Sequence, residues 1–215
     1  AVACVFSTLH AAAATPALPP AFSATVRTTA HHLPDGLDYP PKYKELRVLY
    51  DRPNGRVRVD FNTTRRTALR RFDKGREWLV TRLEGEVVCR TSALLDALPA
   101  PDWPPPGAVR AGDAALEDGT ACEVWRDARP PSSTAILVAK ATGLPRRIVA
   151  ETVEGTGPAQ QLTRDMTYDI VAFDPNPPPA EDFELPEGVE PEECERQPAD
   201  IGFPYVHLLH TYVRA

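Results

Sequence analysis

The residues able to do chemistry are few, and their spacing does not assemble a catalytic group. Four cysteines stand at Cys4, Cys89, Cys122 and Cys194. A thiol becomes a nucleophile when a base or a cationic neighbour lowers its pKa. None of the four lies in the Cys-Gly-x-Cys-Trp setting of papain-like enzymes, and no Cys-x-x-Cys pair supports a zinc ribbon or a thioredoxin-like site. There is no Gly-x-Ser-x-Gly elbow and no glycine-rich phosphate loop. The carboxylate pair of a glycoside hydrolase is placed by the fold, so spacing alone does not reveal one. His207 and His210 are three apart, and with His31 and His32 they could offer nitrogens to a metal. His31-His32 lies in a Pro/Gly loop with no carboxylate at a telling distance, and the other pair reads as a surface tail. Glu181, Asp182, Glu187, Glu190, Glu192 and Glu193 could offer calcium its six to eight oxygens. They lack the spaced Asp-x-Asp-x-Asp-Gly loop, and read instead as a solvated acidic linker. The expectation is a non-enzymatic protein without metal or cofactor.

Charge and composition narrow the class. The net charge of the 215 residues is −6. The excess sits between Asp174 and Asp200, where ten acids face a single base, Arg196. No basic footprint remains for nucleic acid. Residues 1–17 open on a small, apolar, alanine-rich run that reads as the remnant of a secretory signal, with Ala12, Ala14 and Ala17 offering cleavage points. No other run approaches the ~20 apolar residues of a membrane helix. Asn62-Thr63-Thr64 is an acceptor for N-linked sugar, which agrees with a secreted, extracellular or secretory-lumen protein. With Cys4 in the signal, three cysteines are left. That odd count leaves open one bridge plus a free thiol, or an intermolecular bridge in a homodimer.

The elements that must carry any site read as strands. Twenty-four prolines argue against helical bundles and for sheet edges and turns. Phe22, Ala24, Val26 and Thr28 share one face of an alternating run. Leu46, Val48 and Tyr50 alternate again, Asn54-Gly55 turns the chain, and Val57, Val59 and Phe61 resume. Asn-Gly between two such runs is the strongest short hairpin signal. Thr67–Phe72, Glu77–Leu83 and Glu86–Thr91 continue the meander through short turns, which antiparallel strands permit. Ser92–Leu98 reads as a short helix before the proline-rich, Trp103-bearing connection. A second meander follows over Ala114–Leu116, Thr120–Arg126, Thr134–Lys140, Arg146–Thr152 and Gln161–Phe173. The stretch Glu181–Glu195 has few apolar residues and reads as loop, partly disordered. Phe203–Val213 reads as a last turn of helix or an edge strand. The fold class is mostly β: two consecutive antiparallel meanders in one domain over 18–195, with little helix and a tail over 196–215. About ten strands of this length twist and curl, and a curled sheet with few helices to fill it leaves an apolar concave cavity.

In their order the pieces resemble ependymin-related secreted proteins, which share the half-barrel fold of the bacterial lipoprotein carriers LolA and LolB. The matching pieces are the hairpin Tyr50–Val59, Phe72-Asp73-Lys74-Gly75 leading to Trp78, and Cys89. Then come Gly119, Cys122, Trp125, the turn Gly143-Leu144-Pro145-Arg146, the run Tyr168–Phe173, Asp182-Phe183-Glu184-Leu185-Pro186 and Cys194. The resemblance implies a secreted, disulfide-containing binding protein with a deep apolar cavity, and a bridge from Cys194 to Cys89. The family's cysteine just before the first strand is missing here, which leaves Cys122 without an obvious partner. A similar β-domain precedes the peptidase in some papain-like cysteine protease precursors of protists, without catalytic residues. Phe72, Trp78, Trp125 and Tyr168 are the side chains expected on the concave face, against a hydrophobic small molecule or lipid. The alternative is an extracellular adhesion or matrix module acting through its glycan and an acidic, calcium-responsive surface.

Overall fold

The computed structural model describes residues 18–31, 45–61, 65–95, 97–98, 104, 107–154 and 161–198. Eleven long strands and one short one form a single sheet: β1 (Ala21–Ala30), β2 (Glu45–Asp51), β3 (Arg56–Phe61), β4 (Arg66–Arg71), β5 (Arg76–Leu83), β6 (Glu86–Ala93), β7 (Val109–Ala115), β8 (Ala121–Arg129), β9 (Ser132–Ala139), β10 (Pro145–Glu154), β11 (Gln161–Asp174) and β12 (Glu195–Arg196). The spatial order is β12-β6-β5-β4-β3-β2-β1-β11-β10-β9-β8-β7. The sheet is curved and does not close. Two meanders are thus present, as the alternation implies, and they meet where β11 returns to pair antiparallel with β1. Every pairing is antiparallel except that of β12 with β6. Among the described residues there is no α-helix, only short 3-10 turns at Phe72–Lys74, Ala180–Phe183 and Pro191–Glu193.

Two sequence-based boundaries are corrected. Ser92 and Ala93 complete β6 instead of opening a helix. Ser92 faces Glu77 across the ladder, and its hydroxyl donates to Glu77 Oε1 at 2.6 Å, so the extended backbone is tied down. The first strand of the second meander begins at Val109, well before Ala114, and breaks its register at Gly112, whose φ of +139° suits a bulge.

Alternation along each strand divides the sheet into two faces. One is apolar. Phe22, Val26, Tyr50, Phe61, Ile136 and Ile148 belong to one buried cluster that spreads over both meanders. Phe22 stacks between Tyr50 and Phe173, with ring centroids 5.2 and 5.1 Å away. The same face holds a buried ion pair that alternation does not announce. Arg70 lies across from Val57 and Glu77, and its Nε donates to Glu77 Oε2 at 2.9 Å. With Ser92 on the other oxygen, Glu77 is fully hydrogen-bonded, the condition under which a carboxylate tolerates burial.

Candidate functional site

The four aromatic residues expected to line one cavity are divided by the fold. Trp125 and Tyr168 belong to the apolar-face cluster, and Phe72 packs half-buried against it. Trp78 faces the other way, in a separate cluster with Leu69, Val80, Phe183, Val189 and Cys194. Parity on β5 explains the split: Leu79, not Trp78, is opposite Ala68 of the apolar face, while Trp78 is opposite Leu69.

Phe72 marks an opening at the end of the apolar face. It lines a cleft of about 560 Å³ with Pro20, the Arg52–Gly55 hairpin, Asp73 and Leu98. The hairpin is rigid for local reasons. The buried Asp51 carboxylate accepts from Asn54 Nδ2 at 2.9 Å and pairs with Arg56. Gly55 takes a φ of +62°, and a Cβ there would meet Asp73 N at 3.2 Å. Its carbonyl accepts the Phe72 N–H at 2.8 Å, which sutures the hairpin to the turn carrying Phe72.

The opposite face is a ladder of arginines, and it is covered. The acidic stretch expected to be a loose, solvated linker is instead a packed strap, whose order comes from what it lies upon. Asp182 pairs with Arg47 at 3.1 Å, and its carbonyl accepts Arg58 Nη1 at 2.8 Å. Phe183 is fully buried beneath Arg56, whose guanidinium carbon sits 4.8 Å from the ring centroid. Arg71 Nη1 donates to the Phe183 carbonyl at 3.1 Å and to Glu184 Oε1 at 3.0 Å. Arg82 donates to the Glu187 carbonyl, and Glu195 lies 3.5 Å from Arg90. The strap is then bolted by Cys89–Cys194, the bridge the family resemblance implies. Beyond it, the Gln197 N–H donates to the Thr91 carbonyl at 2.8 Å. Sequence reasoning missed this surface, although the signal was there: arginines recur at outward positions of β2 to β5, and an acidic segment follows them.

The electrostatics carry a pH dependence. The hydrogen bond from Arg71 holds the Asp73 carboxyl below its ordinary range, and Arg71 is raised in return. Hydrogen bonds from Lys140, Arg147 and Thr120 do the same for Asp113, Glu117 and Asp118 on the other meander. A carboxyl depressed in the folded state contributes stability above its unfolded pKa of about 3.9, and loses it as pH falls through the folded value. The urea midpoint is therefore expected to fall between pH 5 and pH 3. In Asp73→Asn it starts lower at neutral pH and falls less over that interval, as urea titrations at fixed pH will show.

The remaining candidates do not converge. Cys122 is buried and free, with Sγ 3.7 Å from the Thr120 carbonyl oxygen, and burial pushes its thiol up, away from the reactive thiolate. His31 Nε2 lies 2.7 Å from Thr167 Oγ1. Cys4, His32, Asn62, Trp103, His207 and His210 lie outside the described residues, as does the segment Phe203–Val213. Among the described residues no three His, Cys, Asp or Glu side chains gather as metal ligands, and no helix is long and apolar enough to cross a membrane.

No family model and no curated protein matches the chain. Among solved structures it is similar to the crystal structure of MucB in complex with MucA(peri), at 12% identity and a TM-score of 0.34, over 78% of this chain and 54% of that one. The chain spans about half the length of that protein. This likeness assigns no family, ligand or reaction.

Proposed function

We propose that the protein is a secreted, ependymin-related, non-enzymatic binding protein that holds a hydrophobic, lipid-like ligand against the apolar face of its curved sheet. The observation that carries this reading is the apolar face itself. It is one continuous cluster over both meanders, and a cleft rimmed by Phe72, Pro20 and Leu98 opens at its hairpin end. Ligand sites of this kind are mostly apolar, with a few polar groups at the mouth; Arg52 and Asp73 stand there. A disulfide of long span suits an oxidising compartment. The acidic-surface alternative has less to work with, because Asp182, Glu184 and Glu195 already pair with arginines.

Native mass spectrometry of protein secreted from eukaryotic cells, followed by solvent extraction, tests the reading. A co-purifying lipid of defined mass, or stoichiometric uptake of added diacylglycerol or phosphatidylcholine, is the expected result. A clean apo mass with no uptake of either would overturn it.

A further inference from the structure

A second cleft lies on the other side of the sheet, where the strap leaves a gap beside β4 and β5. Its volume is about 470 Å³, within the ~300–1,000 Å³ typical of small-molecule sites. Trp78 lines it, and the strap supplies an apolar wall from Leu185, Val189 and Pro191. The Trp78 Nε1 is buried and pairs with no protein group, whereas buried indole N–H groups ordinarily find a partner.

The rim is charged, and it is unbalanced. Arg71, Lys74 and Arg76 face a single carboxylate, Glu184. Arg71 spends its guanidinium on Asp73 and Glu184. Lys74 reaches Glu184 only at 3.9 Å, with about half its side chain in solvent. Arg76 is exposed and makes no ion pair among the described residues. Arg76, with no ion pair among the described residues, and Lys74, at the outer limit of one, therefore stand beside an apolar slot lined by an aromatic residue.

We infer that this cleft binds a small amphipathic anion, with its apolar body against Trp78, Leu185 and Val189 and its carboxylate, sulfonate or phosphate between Lys74 and Arg76. The site is separate from the apolar face of the proposed carrier function. It has opposite electrostatic demands, since an uncharged hydrophobe gains nothing from the two cations.

Trp78 and Trp125, two of the three tryptophans, report the two faces independently. In ¹⁵N-labelled protein, the indole resonances of Trp78 and Trp125 are assigned by Trp78→Phe and Trp125→Phe. Octanoate is titrated against octanol, its uncharged counterpart. Octanoate is expected to shift the Trp78 resonance saturably, with octanol about tenfold weaker or worse, because a charge-assisted contact is lost. Lys74→Gln/Arg76→Gln, which changes only exposed side chains, is expected to weaken octanoate by about the same factor. An unmoved Trp78 resonance at millimolar octanoate would overturn the inference. So would equal affinity for octanol, or for octanoate in the double variant. Movement of Trp125 alone reports binding on the apolar face and none here, so the two proposals fail separately.

Discussion

Cys89→Ser and Cys194→Ser are each expected to lower the free energy of unfolding by about 4–5 kcal/mol, and the double variant by no more than either single one. The bridge spans 105 residues, and on the chain-entropy model a crosslink closing a loop of about a hundred residues restricts the unfolded chain by about that amount. Equality follows from there being one bond to lose. Guanidinium unfolding of the three variants at one protein concentration measures it. A Cys194 variant much weaker than its Cys89 counterpart would show that Cys194, buried against Trp78 and Val189, does more as packing than as a crosslink.

Phe183→Ala is expected to cost about 3–5 kcal/mol, the range for truncating a fully buried aromatic ring. The ring is 0% exposed, sits in the cluster with Leu49 and Leu69, and lies under Arg56. Its loss therefore removes apolar burial, a cavity's worth of contacts and a cation–π pair together. The bridge at Cys194 still tethers the far end of the strap in this variant. Hydrogen exchange is expected to rise first over residues 180–187, and least at the Gln197 N–H bonded to Thr91. Protection lost uniformly along the whole chain would mean that the strap and the sheet unfold as one unit.

Both effects come from a segment whose order cannot be read from its own composition. Glu181–Glu195 is acidic and proline-containing, which by itself describes a solvated linker. Its order comes from Arg47, Arg58, Arg71 and Arg82 on four different strands, and only the folded sheet lines those up. The meanders, by contrast, are local facts. Alternation over Val57–Phe61 and the Asn54-Gly55 turn depend on neighbours a few residues away, so they were legible. The helix read at Ser92–Leu98 failed for a related reason: the Ser92 hydroxyl is committed to Glu77, fifteen positions back. Trp78 packs apart from the other three aromatics because β5 carries apolar residues at both parities, Trp78 and Val80 on one side and Leu79 on the other. A strand covered on both faces gives no alternation from which to choose. Cys122, without an obvious partner by sequence, is a buried free thiol in the fold.

The seam between β1 and β11 has a consequence for how the chain is made. Apart from the 14 residues that join β1 to β2, neighbours in the two meanders are six residues or fewer apart, but Val26 pairs with Ile170, from the far end of the domain. Contacts of such long separation are slow to form, because loop closure must precede any gain from pairing. During synthesis β1 can recruit β2 almost at once, while its other edge stays bare until about 140 further residues have emerged. For that interval the nascent first meander is an open template whose free backbone groups sit beside Phe22 and Val26. The vulnerable species is therefore the half-made chain, and the partner it is most apt to find in a crowded compartment is another half-made copy of itself.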